Sequence, residues 1–250
     1  MPPLAEMLAR PRSGWAGWLF CFGKGAATPY SEQIGWRVLV ACLALEGIAR
    51  PYVRSGLRTL GFGGTRTGPL AIACCVLVLA LGLTAIFVRL PFSRIGLYGW
   101  SQWTRPEKLF LPQIIAVSLV AFTLAQRSQL ASLPNDADWI RGTMVVFLGQ
   151  MLWGFYQEYV YRGLLQTELV RRWGAVTGIV TSNLIFTFGP LHSYHFAQAI
   201  EHPNHLFIFA AIFAIGLYFG ILFQRSGNLW IVAVVHGIGD FFIDGLAGMR

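Results

Sequence analysis

Charge is scarce in this sequence. Charged residues fill 12% of 250 positions, half the share of about 25% usual in soluble domains. That deficit excludes an ordinary water-soluble globule. Cysteine is scarce too: there are four, and no CxxC spacing among them. Neither a zinc ribbon nor a disulfide framework can be built from that set. Cys74 and Cys75 lie side by side in one apolar run and Cys42 in another, so buried, inert thiols are expected. Internal repeats and low-complexity tracts are absent, which counts against a solenoid and against an inverted-repeat transporter. The net charge of +8 does not gather into a basic stripe. Arg89, Arg94, Arg127, Arg141, Arg171, Arg172 and Arg225 instead mark the ends of apolar runs. Such flanking charge belongs to a membrane protein, and it excludes nucleic acid as the partner.

What remains is apolar: 55% of residues are hydrophobic and mean hydropathy is +0.57. The run "GPLAIACCVLVLALGLTAIFV" (68–88) contains no charge. Its length crosses a hydrocarbon core of about 30 Å. Further candidate spans lie at 109–125, 143–156, 174–191, 207–223 and 228–248. A weaker one at 34–49 is interrupted by Arg37 and Glu46. Backbone in lipid must satisfy its own hydrogen bonds, so each span is expected to be a helix. The predicted fold is an all-α, polytopic bundle of about seven transmembrane helices (six to eight) with a polar intramembrane cavity, set in a lipid bilayer.

A single membrane domain over 1–250 is expected. Residues 1–140 hold spans with few polar groups inside them, and 141–250 hold nearly all the intramembrane polar residues. The N-terminal stretch has arginines before a short apolar patch but no small-residue cleavage site, so it reads as interfacial. Residues 96–112 are aromatic and basic, suited to the interface, and 127–139 read as a polar loop. Arginine placement gives conflicting orientations: the loops at 50–67 and 89–108 are both basic although one span separates them.

Ionisable groups inside spans are costly and are functional candidates by default. In "FYQEYVYRG", Glu158 and Arg162 stand four residues apart, acid first, on one helix face. A neutralised pair that lets the helix enter lipid would have the same spacing. His236 and Asp240 repeat it on the last span. There the carboxylate either holds the imidazole's tautomer or makes a plain helix–helix hydrogen bond. His192 follows Pro190 by two residues. Pro190 cannot donate to the carbonyl of Phe186, so the helix should bend or end there and turn His192 toward a cavity. His195 lies one turn further, and His202 and His205 fall in a polar loop. Taken together, an acid and two histidines in a secluded wet pocket suit hydrolysis, with the histidines donating to an oxyanion. A bis-histidine haem or metal protein would use His192, His195 and His236, but the spacing gives no direct support. No cofactor and no metal are expected.

Three segments, "QEYVYRG" (157–163), "FGPLH" (188–192) and "HGIGD" (236–240), resemble the EExxxR, FxxxH and HxxxN/D motifs of the CPBP family. These are the Rce1-like CAAX prenyl proteases and their Abi relatives. The likeness covers roughly 140–245. It implies a glutamic-type intramembrane protease that needs no metal and acts on a membrane-anchored protein or peptide substrate. It places Glu158 and Arg162 as the supporting pair, Phe188 and His192 in the second motif, and His236 and Asp240 in the third. Tyr161 and Trp153, with Phe188, are the expected substrate contacts. One position departs: Gln157 stands where the family carries the glutamate base. Glutamine has nearly the shape of glutamate but takes up no proton at neutral pH. Three readings stand. Position 157 carries an introduced Glu-to-Gln change, or the chain is a natural homologue that binds (as a chaperone or immunity protein) without cutting, or Glu158 serves as base. Adjacent helical residues point about 100° apart, which argues against the last. Oligomeric state is not legible.

Overall fold

The computed structural model describes residues 30–62, 65, 67–131, 137–193, 195 and 206–246. They form helices throughout, and no strand occurs among them. Each of the seven expected apolar stretches is helical over most of its described length, and residues 247–248 of the last lie outside the described residues. Helix α1 is Glu32–Ala44, capped where Ser31 accepts from the backbone of Ile34. It continues through a wide π-helical turn, Leu45–Ala49, into α2, Arg50–Leu57. Pro51 explains the turn: it lacks an N–H and its ring crowds the preceding carbonyls. The helix relaxes by letting Arg50 donate to Leu45, five residues back.

Helix α3 is Gly68–Leu83, extended by a π turn to Val88. Two short 3₁₀ turns, Phe92–Ile95 and Trp100–Gln102, lead to α4, Arg105–Ala125, which begins with a capping box between Thr104 and Glu107. The stretch 127–139, expected as a polar loop, is helical at both ends, and its middle, 132–136, lies outside the described residues. Arg127–Ala131 forms a short helix, α5, and α6 begins at Ala137. Only a bend at Gln126 (φ −104°, ψ 17°) separates α4 from α5, because nothing in "RSQLA" breaks a helix.

Helix α6 runs Ala137–Glu158 and passes into a π-helical segment, Tyr159–Gln166, all of it buried. Helix α7, Thr167–Phe188, is interrupted at Gly174 (φ 79°, ψ 167°), a conformation open to glycine alone. At its end Gly189 is extended and Pro190–His192 forms a 3₁₀ turn. This is the break that Pro190 predicts. Helix α8 is Leu206–Ser226, and α9 is Leu229–Asp240 with a final π turn, Phe241–Gly245.

Among the described residues four segments are long and apolar enough to cross a bilayer: Gly68–Val88, Arg105–Ala125, Trp139–His192 and Leu206–Ser226. The third has 54 residues. As one straight helix it would reach about 80 Å, and Gly174 divides it into two arms. The protein is inside-out relative to a soluble fold. Leu43, Val78, Ile86 and Phe207 are more than two-thirds exposed, while Glu46, Arg50, Glu107, Glu158, Arg162 and Glu168 are buried. An apolar exterior over a polar interior is the arrangement that lipid favours. Cys42 is buried as expected, but Cys74 and Cys75 are exposed, because α3 turns this side outward. The N-terminal interfacial segment, His202 and His205 lie outside the described residues.

Helices α6 and α9 approach closest. A Cβ built on Gly154 would lie 2.6 Å from the nitrogen of Gly237, and one on Gly237 would lie 2.8 Å from the Cα of Met151. Glycine on both sides lets the two backbones touch. That contact brings the polar end of α6 against the polar end of α9.

Candidate active site

Gln157 and Glu158 close α6 on the turn that meets His236 and Asp240 of α9. The amide Nε2 of Gln157 donates to Asp240 Oδ2 at 2.9 Å. Glu158 Oε1 lies 2.6 Å from His236 Nδ1, and Glu158 Oε2 lies 3.3 Å from Arg162 Nε. The other ring nitrogen of His236 faces Asp240 Oδ1 at 3.4 Å. A single chain of polar contacts therefore runs Gln157, Asp240, His236, Glu158, Arg162. Donation from both imidazole nitrogens requires the imidazolium. In that state the chain holds two cations and two anions and is neutral as a unit, the condition under which buried charge is tolerated.

Gln157 and Glu158 are neighbours in sequence, yet both reach the same turn of α9. His236 and Asp240 stand four residues apart, about 6 Å along that helix. Two side chains diverging from α6 therefore find separate partners on one facing turn. The 100° separation does not send Glu158 to a different helix.

Arg162 is 1% exposed. Its Nη2 donates to the carbonyl of Gly216 on α8 at 2.9 Å, and its guanidinium lies 4.2 Å from the ring centroid of Phe186. Gly216 is glycine for a steric reason: a Cβ there would fall 2.1 Å from Asn183 Oδ1. Arg162 thus ties α6, α7 and α8 together behind the site.

His192 is partly buried on the 3₁₀ turn after α7. Its Nδ1 lies 2.8 Å from the carbonyl of Phe186. A carbonyl only accepts, so Nδ1 carries the proton and Nε2 is left to exchange one. His192 and His236 both pack on Phe186, with ring centroids 4.8 Å and 6.0 Å away. His195 sits beyond His192, its ring 6.0 Å away.

The three expected substrate contacts separate. Phe188 is 46% exposed and stacks on Phe209. It lines an apolar cleft of about 490 Å³ with Leu184, Leu206, Phe209, Ala210 and Phe213. Tyr161 is 1% exposed and gives its hydroxyl to Glu46, so it stands in the core with no face toward a ligand. Trp153 is partly buried and stacks on Tyr156.

Sequence reading passed over two features. Phe186, not Phe188, is the phenylalanine at the centre of the site, two residues earlier in the same run. Glu46 interrupts an apolar span in the sequence. It is 6% exposed and accepts from Arg50 Nε at 3.0 Å, Tyr156 at 2.7 Å and Tyr161 at 2.9 Å. The i,i+4 spacing of Glu46 and Arg50, the same as that of Glu158 and Arg162, was the available signal. Among the described residues, no group of three or more His, Cys, Asp or Glu side chains is arranged to hold a metal.

Residues 139–242, which include every member of this polar chain, match the family model described as Type II CAAX prenyl endopeptidase Rce1-like. No curated protein and no solved structure matches the chain.

Proposed function

We propose, from a segment 139–242 that belongs to the Rce1-like CAAX prenyl endopeptidase family, that this membrane protein is an intramembrane endopeptidase. Its reaction is hydrolysis of a peptide bond near the C-terminus of a membrane-anchored or lipidated protein. The carrying observation is the Gln157–Asp240–His236–Glu158 chain of contacts at 2.9, 3.4 and 2.6 Å. A carboxylate and an imidazole held together inside an apolar protein can take a proton from water and return it to a leaving amine. His236 as imidazolium, and His192 once its uncommitted Nε2 carries a proton, are suited to the oxyanion. Glu158 and Arg162 brace the imidazole. The apolar cleft beside Phe188 and Phe209 is lined by α7 and α8, and a bilayer-borne apolar chain would enter there. The setting is a multi-pass protein of a bacterial plasma membrane, and the reaction uses no metal.

One observation favours a second reading. Gln157 cannot serve as a base, so the chain would bind its membrane partner, as an immunity or chaperone-like protein does, without cutting. The test uses a quenched fluorescent peptide with a farnesylated cysteine followed by three residues, in detergent micelles. Cleavage by the chain or by Gln157→Glu supports the peptidase. Tight binding of the peptide without cleavage by either form supports the second reading.

A further inference from the structure

The peptidase reading leaves the base unassigned, because Gln157 has no proton-accepting group at neutral pH. Four described groups near the site are candidates. Glu158 is fully buried; His236 covers its Oε1 and Arg162 faces its Oε2. Its Oε2 accepts no hydrogen bond, but the side chain has no exposed surface by which water could arrive. His236 has a carboxylate against each nitrogen. His192 stands apart, across the ring of Phe186. Asp240 differs from all three. Its side chain is 17% exposed, against 0% for Glu158. As in Glu158, each of its oxygens has a single contact, the Gln157 amide at 2.9 Å or the His236 ring at 3.4 Å, but here the remaining lone pairs are open to water.

Resting on the peptidase reading, we infer that Asp240 is the catalytic carboxylate that deprotonates water, and that Gln157 is its amide partner. The pair holds one acid and one amide, divided across α6 and α9. This division has a physical reason. Two carboxylates at this separation would share one proton, with the remaining charge divided between them. One amide and one carboxylate keep the acid ionised and orient it, because the Gln157 N–H fixes Asp240 Oδ2.

The step balances as follows. The oxygen of water attacks the peptide carbonyl carbon and one proton passes to an Asp240 oxygen. The carbonyl pair moves to oxygen, where His192 protonated at Nε2, or the His236 Nε2–H that otherwise faces Asp240 at 3.4 Å, donates to it. The intermediate then collapses, the C–N bond breaks, and the proton held on Asp240 goes to the leaving nitrogen. A carboxyl terminus and a free amine result, and Asp240 is ionised again.

Four forms are compared on the farnesylated peptide: the unsubstituted chain, Asp240→Asn, Gln157→Glu and the reciprocal double variant Gln157→Glu/Asp240→Asn. The expected result is cleavage by the unsubstituted chain, a loss of about 10²–10⁴-fold in Asp240→Asn, and recovery in the double variant, which restores one acid and one amide. Recovery also shows that the lost activity was not a folding failure. In parallel, the unsubstituted chain is treated with a water-soluble carbodiimide and a labelled amine, and read by mass spectrometry. Coupling at Asp240 with Glu158 untouched is expected, and the reverse overturns the assignment. Full cleavage by Asp240→Asn also overturns it. A silent unsubstituted chain beside an active Gln157→Glu overturns the Asp240 assignment but leaves the peptidase reading intact. Silence of all four forms overturns both.

Discussion

Gly154 of α6 and Gly237 of α9 meet backbone to backbone. A side-chain carbon on Gly154 would sit 2.6 Å from the Gly237 nitrogen and 2.8 Å from its Cα. No flexible side chain can yield there, so the helices themselves would have to part. This contact sets the separation of Gln157 from Asp240 and of Glu158 from His236.

Gly154→Ala should therefore destabilise the protein by about 1–3 kcal/mol through overpacking and suppress cleavage with it. Gly82→Ala on α3 is the control, since a Cβ there meets nothing within 4 Å. It should be neutral or slightly stabilising, because alanine favours helix over glycine by about 1 kcal/mol. Thermal unfolding in detergent reads both. Equal melting temperatures for the two variants would contradict the account.

Arg162 provides the countercharge to Glu158. Arg162→Ala leaves that carboxylate buried beside His236 alone. The expected loss is about 3–5 kcal/mol. Replacing both partners, Glu158→Gln with Arg162→Met, should cost less than the single change, because no unpaired charge remains. If the double variant melts lower than Arg162→Ala, the pair is contributing more than neutralisation.

Glu46 links α1 to the helix that carries Gln157 and Glu158. Tyr156→Phe removes one of its three donors and should cost about 0.5–1.5 kcal/mol. Glu46→Ala leaves Arg50 buried and unpaired, and should cost about 3–5 kcal/mol. Because Tyr156 and Tyr161 flank the site residues, Glu46→Ala should also lower cleavage in molecules that remain folded. Denaturation curves and the peptide assay on the folded fraction separate the two effects.

Glu32 lies at the start of α1, before the apolar stretch. A hydrogen bond from Arg171 holds its carboxyl below the usual range, with Arg172 adding to the effect. A lowered folded-state value means the contribution is complete above the unfolded value of about 4.3. It is lost as pH falls through the folded value. The melting temperature should drop between about pH 5 and pH 3, and Glu32→Gln should flatten that drop. The pair is exposed, so high salt should weaken it. An unchanged acid limb in Glu32→Gln would show that Glu32 carries none of the dependence.

Much of the site could be read from local spacing. Glu158 with Arg162 and His236 with Asp240 are i,i+4 pairs, so helical geometry alone puts each on one face. Pro190 forces the end of α7 for a reason internal to its ring. The apolar runs mark the helices because lipid admits no other open backbone. What could not be read were contacts between elements. Phe188 and Phe186 are equivalent in composition, and only the rotation of α7 against α6 and α9 turns Phe186 inward. Cys74 and Cys75 look buried in an apolar run, yet in lipid apolar character does not tell inside from outside.

The sequence by itself determined the helices, their breaks and the pairing of charges within each helix, because these depend on neighbours within about four residues. The tertiary structure alone decided that Gln157 donates to Asp240, 83 positions away, that Glu158 bridges Arg162 and His236, and that Glu46 gathers two tyrosines. Those contacts depend on which faces meet and how closely. Glycines at 154, 216 and 237 set that distance, and their effect exists only once the helices are packed.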